Sequence, residues 1–410
     1  MANTNLTVDW IGNEALRLAH EKASFIGTIN REFDSSFKQG YGSTIRIRIP
    51  SQYTQTSGRV IDVQDGVEQS TAITVATQHH VAMRYNSQEM AQDLVNFQKL
   101  HLEPAMAQLV SFIDGVCIST ATMQTANMVG TPGNTISTLI VPGQARGRLN
   151  QYLSPKDQRR LQLDSMTMAD VVNGVAGYFN PSNAISEQYR EGLVARTAMA
   201  DYYENDRVAA ITTPAAVSSW ASTQTFTNGL AQLLVSTTTW FTPAVGNVFT
   251  LGWTSSVNQG FRACHPETKQ PYSHLQTFTV TAASALTSTY NFSPPIYISG
   301  PRQNVVKSDG TAFTGTGVEV TSLIRFTGAA AQTYAQPLMY YRDAFTFATA
   351  ALPLMDDAIR CVVKTYDGIS LRVWEASDIR NDEKLTRIDI LWGFATIRPQ
   401  WACRLIGAAL

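Results

Sequence analysis

The chain has 410 residues, of which 44% are apolar and 15% charged, and a formal net charge of −1. This length calls for two or three domain-sized cores, and a charged fraction well under the roughly 25% of ordinary soluble domains predicts that much of the surface ends up against other protein. The near balance of Lys and Arg against Asp and Glu excludes a dedicated phosphate-neutralising DNA binder; with no basic-plus-apolar leader and no uninterrupted apolar run of about 18 residues, the chain reads as made and kept in a cytosol, without a membrane span.

From Thr7 to Ile29, apolar side chains at Trp10, Ile11, Leu18, Phe25, Ile26 and Ile29 follow the spacing of one amphipathic helix or two short ones. In Ser43 to Pro50, Ile45, Ile47 and Ile49 alternate with Arg46 and Arg48, which puts the isoleucines on one face of a strand and the arginines on the other. A polar stretch from Ser51 to Gln69 follows, and alternation resumes from Ser70 through Tyr85. Long loops without structure of their own are uncommon in compact domains unless functional, so this segment predicts an extended hairpin that reaches a neighbouring molecule.

From Ser87 the period becomes helical, with Met90, Leu94, Phe97, Leu102, Met106, Leu109, Ile113 and Val116 on one stripe. Pro104 interrupts it, which predicts either a kink or two abutting helices with Pro104 in the first turn of the second. Further on, Leu139 to Val141 reads as a short strand, Gln144 to Leu153 as a helix, and Leu161 to Leu163 as a strand. Ser165 or Thr167 is placed to cap a helix running to Val175, Asn180-Pro181 marks a turn, and Ile185 to Leu193 is a further helix candidate.

Between Val208 and Gly300 only Arg262, Glu267 and Lys269 are charged. This neutral tract, rich in Thr, Ser, Gly and Pro, has strand candidates near Phe226, Val248, Phe278, Tyr290 and Ile296. Turn signals lie at Pro294-Pro295, Ser299-Gly300-Pro301 and Asp309-Gly310, so a small barrel or sandwich is expected. Tyr340 to Phe347 and Ala358 to Lys364 return to mixed character. Ile369 to Trp374 and Leu385 to Trp392 alternate as strands, and Ala395 to Ile406 is expected to close the same sheet.

Reactive chemistry is sparse. Gly130-Thr131-Pro132-Gly133 lacks the Lys-Ser/Thr ending of a phosphate-cradling loop. Cys117, Cys264, Cys361 and Cys403 lie far apart without zinc spacing and read as buried thiols. His79-His80 and Cys264-His265 point to opposite faces if extended and cannot easily share a metal. The acidic clusters Asp356-Asp357 and Asp378 to Glu383 could suggest paired-carboxylate catalysis, but bases flank both, and the second reads better as a charged turn between strands. No catalytic, cofactor or metal site is assigned.

The order of these parts, carried by Asn30 to Asp34 leading into Thr44 to Pro50, Leu102-Glu103-Pro104-Ala105 with Asp114, Tyr189 to Gly192, Tyr202 to Asn205, Leu385 to Asp389 and Arg398-Pro399, resembles the major coat proteins of tailed phages, and more closely the short-tailed-phage coat proteins that carry an inserted domain. Met199-Ala200-Asp201 departs from the pattern where a glycine is expected. The resemblance implies an α+β tailed-phage major capsid protein fold. Its parts would be an N-terminal arm (1–40), an extended loop (41–85), a peripheral domain with a spine helix (86–135 and 369–410), and an axial domain (136–212 and 336–368) around an inserted all-β domain (213–335).

It further implies pentamers and hexamers of this chain in an icosahedral shell, in a virion assembled in the host bacterial cytoplasm. Scaffolding and portal proteins would be partners, and packaged double-stranded DNA would be close by without sequence-specific contact. Arg46, Arg48, Arg59, Asp62 and Asp65 are the inter-subunit contact candidates, and Pro104 is the candidate hinge of the spine helix. Two other readings stay open: a bacterial surface or adhesive β-rich protein, and a carbohydrate-active enzyme using the acidic clusters.

Overall fold

A computed structural model describes residues 8–33, 37, 42–61, 63–66, 68–86, 101–175, 200–215, 220–222, 225–235, 243–252, 260–284, 289–307, 318–319, 322–355 and 359–410. The chain divides into two compact units. The first comprises Met1–Ile49, Ser70–Cys117 and Phe345–Ile397, and the second Pro50–Gln69, Ile118–Ala344 and Arg398–Leu410.

In the first unit, helix α1 (Val8–Lys22) is followed by a 3-10 turn at Ile26–Thr28, matching the expected pair of short helices. Ile11, Ala15, Leu18 and Ala19 are buried at the three- and four-residue steps of one helical face, which packs on strands Arg360–Tyr366 and Ile369–Asp378. Phe25 is wholly buried, with its ring centroid 6.0 Å from that of Phe345 and 6.4 Å from that of Phe394.

The sheet of this unit is built around the 14-residue strand Glu383–Thr396. That strand pairs antiparallel with Ile369–Asp378, Phe345–Ala350 and Thr77–Asn86. The alternation expected from Ile45 to Ile49 is present: in strand Thr44–Ile49 the isoleucines are half-buried and the arginines exposed. Ile45 and Ile47 pack with Phe37, Ile73, Val75, Ala348 and Ala395.

Strand Thr44–Ile49 pairs with Gln69–Thr74, but the alternation of 70–85 is divided between two strands, and the second, Thr77–Asn86, joins the larger sheet. The chain passes close to Gly393 there, where a Cβ would lie 2.2 Å from the Thr74 carbonyl oxygen.

Helix α2 (Glu103–Gln124) holds Pro104 as its second residue, directly after the π-helical residues His101 and Leu102. The choice between a kink and two abutting helices turns on residues that precede His101, outside the described residues. Residues 87–100, including the Ser87 cap and the start of the apolar stripe, lie outside the described residues, as do Asn180-Pro181, the 185–193 helix candidate and Asp309-Gly310.

The second unit carries a five-stranded sheet in the order Met128–Val129, Ala402–Leu405, Leu338–Tyr341, Arg159–Leu163, Asp201–Glu204. Helices α3 (Ile140–Gln151) and α4 (Ser165–Val175) cover it through Ala145, Leu149, Met168 and Val171, which pack with Leu161, Leu163, Tyr202, Met339, Cys403 and Leu405.

Three expectations are corrected here. The 139–141 strand is instead the start of α3, whose first turn accommodates Pro142. The cap of α4 is Asp164, whose Oδ2 accepts from Thr167 N at 3.1 Å. Residues after 397 do not close the first unit's sheet: the 3-10 turn Pro399–Trp401 ends the run, and Ala402–Leu405 pairs with Leu338–Tyr341 and Met128–Val129.

Within the second unit, the neutral tract is bounded by paired strands, Ala210–Thr212 running antiparallel to Thr333–Ala335. The described strands between them pair with one another: a six-stranded sheet, a three-stranded sheet and a two-stranded pair. Phe226, Phe249, Phe261, Phe278, Phe292, Phe326, Val305 and neighbouring aliphatics form a single core across all of these. Pro294-Pro295 is not a turn. It lies in strand Thr289–Ile296, where the register against Leu230–Leu234 shifts between Leu230 and Gln232, an irregularity of the kind that admits proline within a sheet.

Candidate assembly surfaces

The loop 50–68 contains no regular element among its described residues, but it is internally tied. Thr54 N donates to Gln64 Oε1 at 2.8 Å, and Gln64 Nε2 returns a bond to Thr54 O at 2.6 Å. Beyond this clasp, Val60, Ile61 and Val63 are 88%, 85% and 83% exposed, and Tyr53 is 61% exposed. Large apolar side chains held in solvent make this loop a candidate contact surface. The sequence reading weighed the charges in this loop and missed its apolar tip, although Val60-Ile61 and Val63 stand out in an otherwise polar stretch.

Arg46, Arg48, Arg59 and Asp65 are all exposed, and Asp62 lies outside the described residues. Arg46 and Arg48 share the face of their strand opposite the half-buried isoleucines. Pro104 is exposed as well. A further exposed apolar residue stands on the turn between strands Ile369–Asp378 and Glu383–Thr396, where Ile379 is 97% exposed.

This turn holds one of the acidic clusters weighed as a catalytic candidate. Asp378 Oδ1 accepts from Arg380 N and Oδ2 from Asn381 Nδ2, each at 2.8 Å, and the other cluster, Asp356-Asp357, lies outside the described residues. His79 and His80 do face opposite ways. His79 Nδ1 accepts from Trp392 Nε1 at 2.9 Å, whereas His80 is exposed. Among the described residues no group of three His, Cys, Asp or Glu could hold a metal. The four cysteines are free, with Cys117, Cys264 and Cys403 buried and Cys361 partly so.

Two buried carboxylates organise the first unit. Asp114 on α2, wholly buried, accepts from Phe25 N and Ile26 N at 3.0 and 2.9 Å and from Ser24 Oγ at 2.9 Å, so it caps the 3-10 turn and ties the arm to the helix. Asp389, also wholly buried, accepts from Arg372 Nη2 at 2.8 Å, Arg387 Nε at 2.7 Å, Trp374 Nε1 at 3.0 Å and Gln78 Nε2 at 3.2 Å. Burial works to raise the Asp389 pKa, but the hydrogen bonds and charges of Arg372 and Arg387 outweigh it and hold the carboxyl below its ordinary value.

Residues 206–407 match the family model of the P22 coat protein, gene protein 5. No curated protein sequence matches the chain. Among solved structures, the chain is similar to one from Mycobacterium phage Che8, with 8% identity over 93% of this chain and 90% of that one and a TM-score of 0.48. Similar values hold for the capsid of Ralstonia phage GP4, with 7% identity over 95% and 94% and a TM-score of 0.43, and for the capsid of cyanophage P-SCSP1u, with 10% identity over 89% and 83% and a TM-score of 0.43. Scores this low carry no weight of their own; the family match, over a little under half of the chain, is to a coat protein and not to an adhesive or a carbohydrate-active enzyme.

Proposed function

We infer that this chain is a tailed-phage major capsid protein, akin to the P22 coat protein family that its residues 206–407 match, and that it acts by assembling into an icosahedral shell. The family match is the observation that carries this reading. The loop geometry suggests how assembly would proceed. Fully burying a Val or Ile side chain stabilises by roughly 1.5–3 kcal/mol, and Val60, Ile61 and Val63 obtain none of this within their own subunit. Laid on a neighbour, the three would outweigh the ion pairs of Arg46, Arg48, Arg59, Asp62 and Asp65, each worth about 0–1 kcal/mol when exposed.

The finer assignments follow the same reading. Residues 1–40 serve as the arm, 41–85 as the extended loop, 86–135 with 369–410 as the peripheral domain, and 136–212 with 336–368 as the axial domain around the 213–335 insertion. Pentamers and hexamers are the rings such a shell requires, and bending at Pro104, at the start of α2, would let one subunit fit both. A net charge of −1 suits a wall facing packaged DNA, because each neutralised phosphate would add affinity and hinder release. Scaffolding and portal proteins are the expected partners, the host cytoplasm the expected place of assembly, and no catalytic role is assigned.

Electron microscopy of the purified chain, alone and with its scaffolding partner, tests the reading. Closed shells of uniform size are expected, and a small monomer persisting under both conditions would overturn it.

A further inference from the structure

Arg404 is the largest fully buried side chain among the described residues, and its guanidinium is wholly enclosed. Burying a cation is costly unless a counter-charge or a full set of hydrogen bonds replaces water. Among the described residues no carboxylate pairs with it. Its acceptors are neutral: Nε donates to Thr125 O at 2.5 Å, Nη1 to Gly246 O at 2.7 Å and to Gln336 Oε1 at 2.9 Å, and Nη2 to Thr279 Oγ1 at 2.8 Å.

The missing counter-charge is supplied by the end of α2. Thr125 follows the last helical residue, Gln124, at the pole where unpaired carbonyls concentrate the negative end of the helix dipole. A second carbonyl of that end, Met123 O, accepts from Thr279 Oγ1 at 2.8 Å. The Thr279 hydroxyl thus receives a hydrogen bond from Arg404 and passes one to the helix. Burial pushes the Arg404 pKa down to about 9, so the side chain is still a cation at neutral pH.

The four acceptor residues come from three distant parts of the chain. Thr125 ends α2, Gly246 and Thr279 stand beside each other at the base of the β-rich tract, where Gly246 N donates to Val280 O at 2.8 Å, and Gln336 lies just past the strand that closes the tract. The fit is close: at Gly246, whose φ is +92, a Cβ would come within 2.9 Å of Met123 Cγ.

We propose that Arg404 is a positioning residue, a buried cationic pin that fixes the base of the β-rich module to the C-terminal end of the spine helix so that the two move as one body. The module's direction is then set by the helix and not by the paired strands alone. This goes beyond the capsid reading and does not depend on it.

Native-state hydrogen exchange on the full-length chain tests the pin. The reporters are the amides of Thr125, Gly246, Val280 and Arg404, which donate to Thr122 O, Val280 O, Asn247 O and Asn127 O respectively. Arg404→Lys keeps the charge but cannot span the acceptors, and Thr279→Val removes the relay hydroxyl while leaving Arg404 in place. Each should speed exchange at these amides by about tenfold or more, as expected for loss of a hydrogen bond to a charged group, while the amides of Phe278 and Phe292 in the module core stay protected. Phe249→Leu is the control and should speed exchange evenly through the module. Unchanged exchange at the reporters in Thr279→Val, or an even increase like that of the control, would overturn the proposal. If Arg404→Lys does not fold, Thr279→Val decides alone.

Discussion

The sheet of the first unit and the β-rich module of the second are both antiparallel, yet they are held by different physics. In the first, buried charge is organised: Asp389 is shared by Arg372 and Arg387, and Glu375, 4% exposed in its side chain, pairs with Lys384 at 2.8 Å. In the module, phenylalanines dominate, with Phe249 within 6 Å of Phe278, Phe292 and Phe326. Even a lysine there serves the local chain, since Lys269 Nζ donates to the carbonyls of Pro266 and Pro301 at 2.5 and 2.6 Å. A low-charge module can therefore hold its own shape on aromatic packing, while the first unit uses buried charge to fix the positions of its strands.

Removing the buried carboxylate should have the largest effect. Asp389→Ala leaves Arg372, 3% exposed in its side chain, without its partner, and should cost about 3–5 kcal/mol; urea unfolding would measure this, with hydrogen exchange rising first in strands 369–378 and 383–396. Phe249→Ala is the counterpart, expected to cost about 3–5 kcal/mol with the exchange increase confined first to the module. If both variants loosened the same strands, the contrast between charge and aromatic packing would fail.

Asp114→Ala is expected to be milder, about 1–3 kcal/mol for the backbone donors of Phe25 and Ile26 left without their acceptor, read as a lower midpoint in the same denaturation.

Acid sharpens the contrast. Burial, with Arg148 nearby, lowers the His274 pKa to about 3 from its ordinary 6.5. Between these values the unfolded chain binds a proton that the folded chain does not, so stability falls as pH is lowered through this window. Asp389, whose folded pKa is depressed, loses its contribution only at lower pH, below its ordinary value of 3.8. Thermal unfolding from pH 7 to 4 should therefore weaken the module first, and His274→Phe should flatten that slope.

Much of this was legible in the sequence where a local rule decides. Alternation at Ile45 to Ile49 located a strand and its buried face, and the loss of charge after Val208 located the module, because both are properties of neighbouring residues. What depended on distant partners was not legible. Ala402–Leu405 has the composition of a closing strand in either unit, and only the turn at Pro399 sends it to the second. Asp389 and Arg404 look like ordinary surface charges in the sequence, since what buries them comes from residues as far away as Gln78 and Thr125. In the loop 50–68, a reading of the charges overlooked the exposed Val60, Ile61 and Val63.

Replacing Val60, Ile61 and Val63 together by Ser should leave the subunit's stability within about 0.5 kcal/mol, as for exposed positions generally, while shell formation is lost. The most direct test is cryo-electron microscopy of the assembled shell at side-chain resolution. Residues 60–63 of each subunit are predicted to be buried against a second copy of the chain; the same side chains standing in solvent in the finished shell would contradict the account.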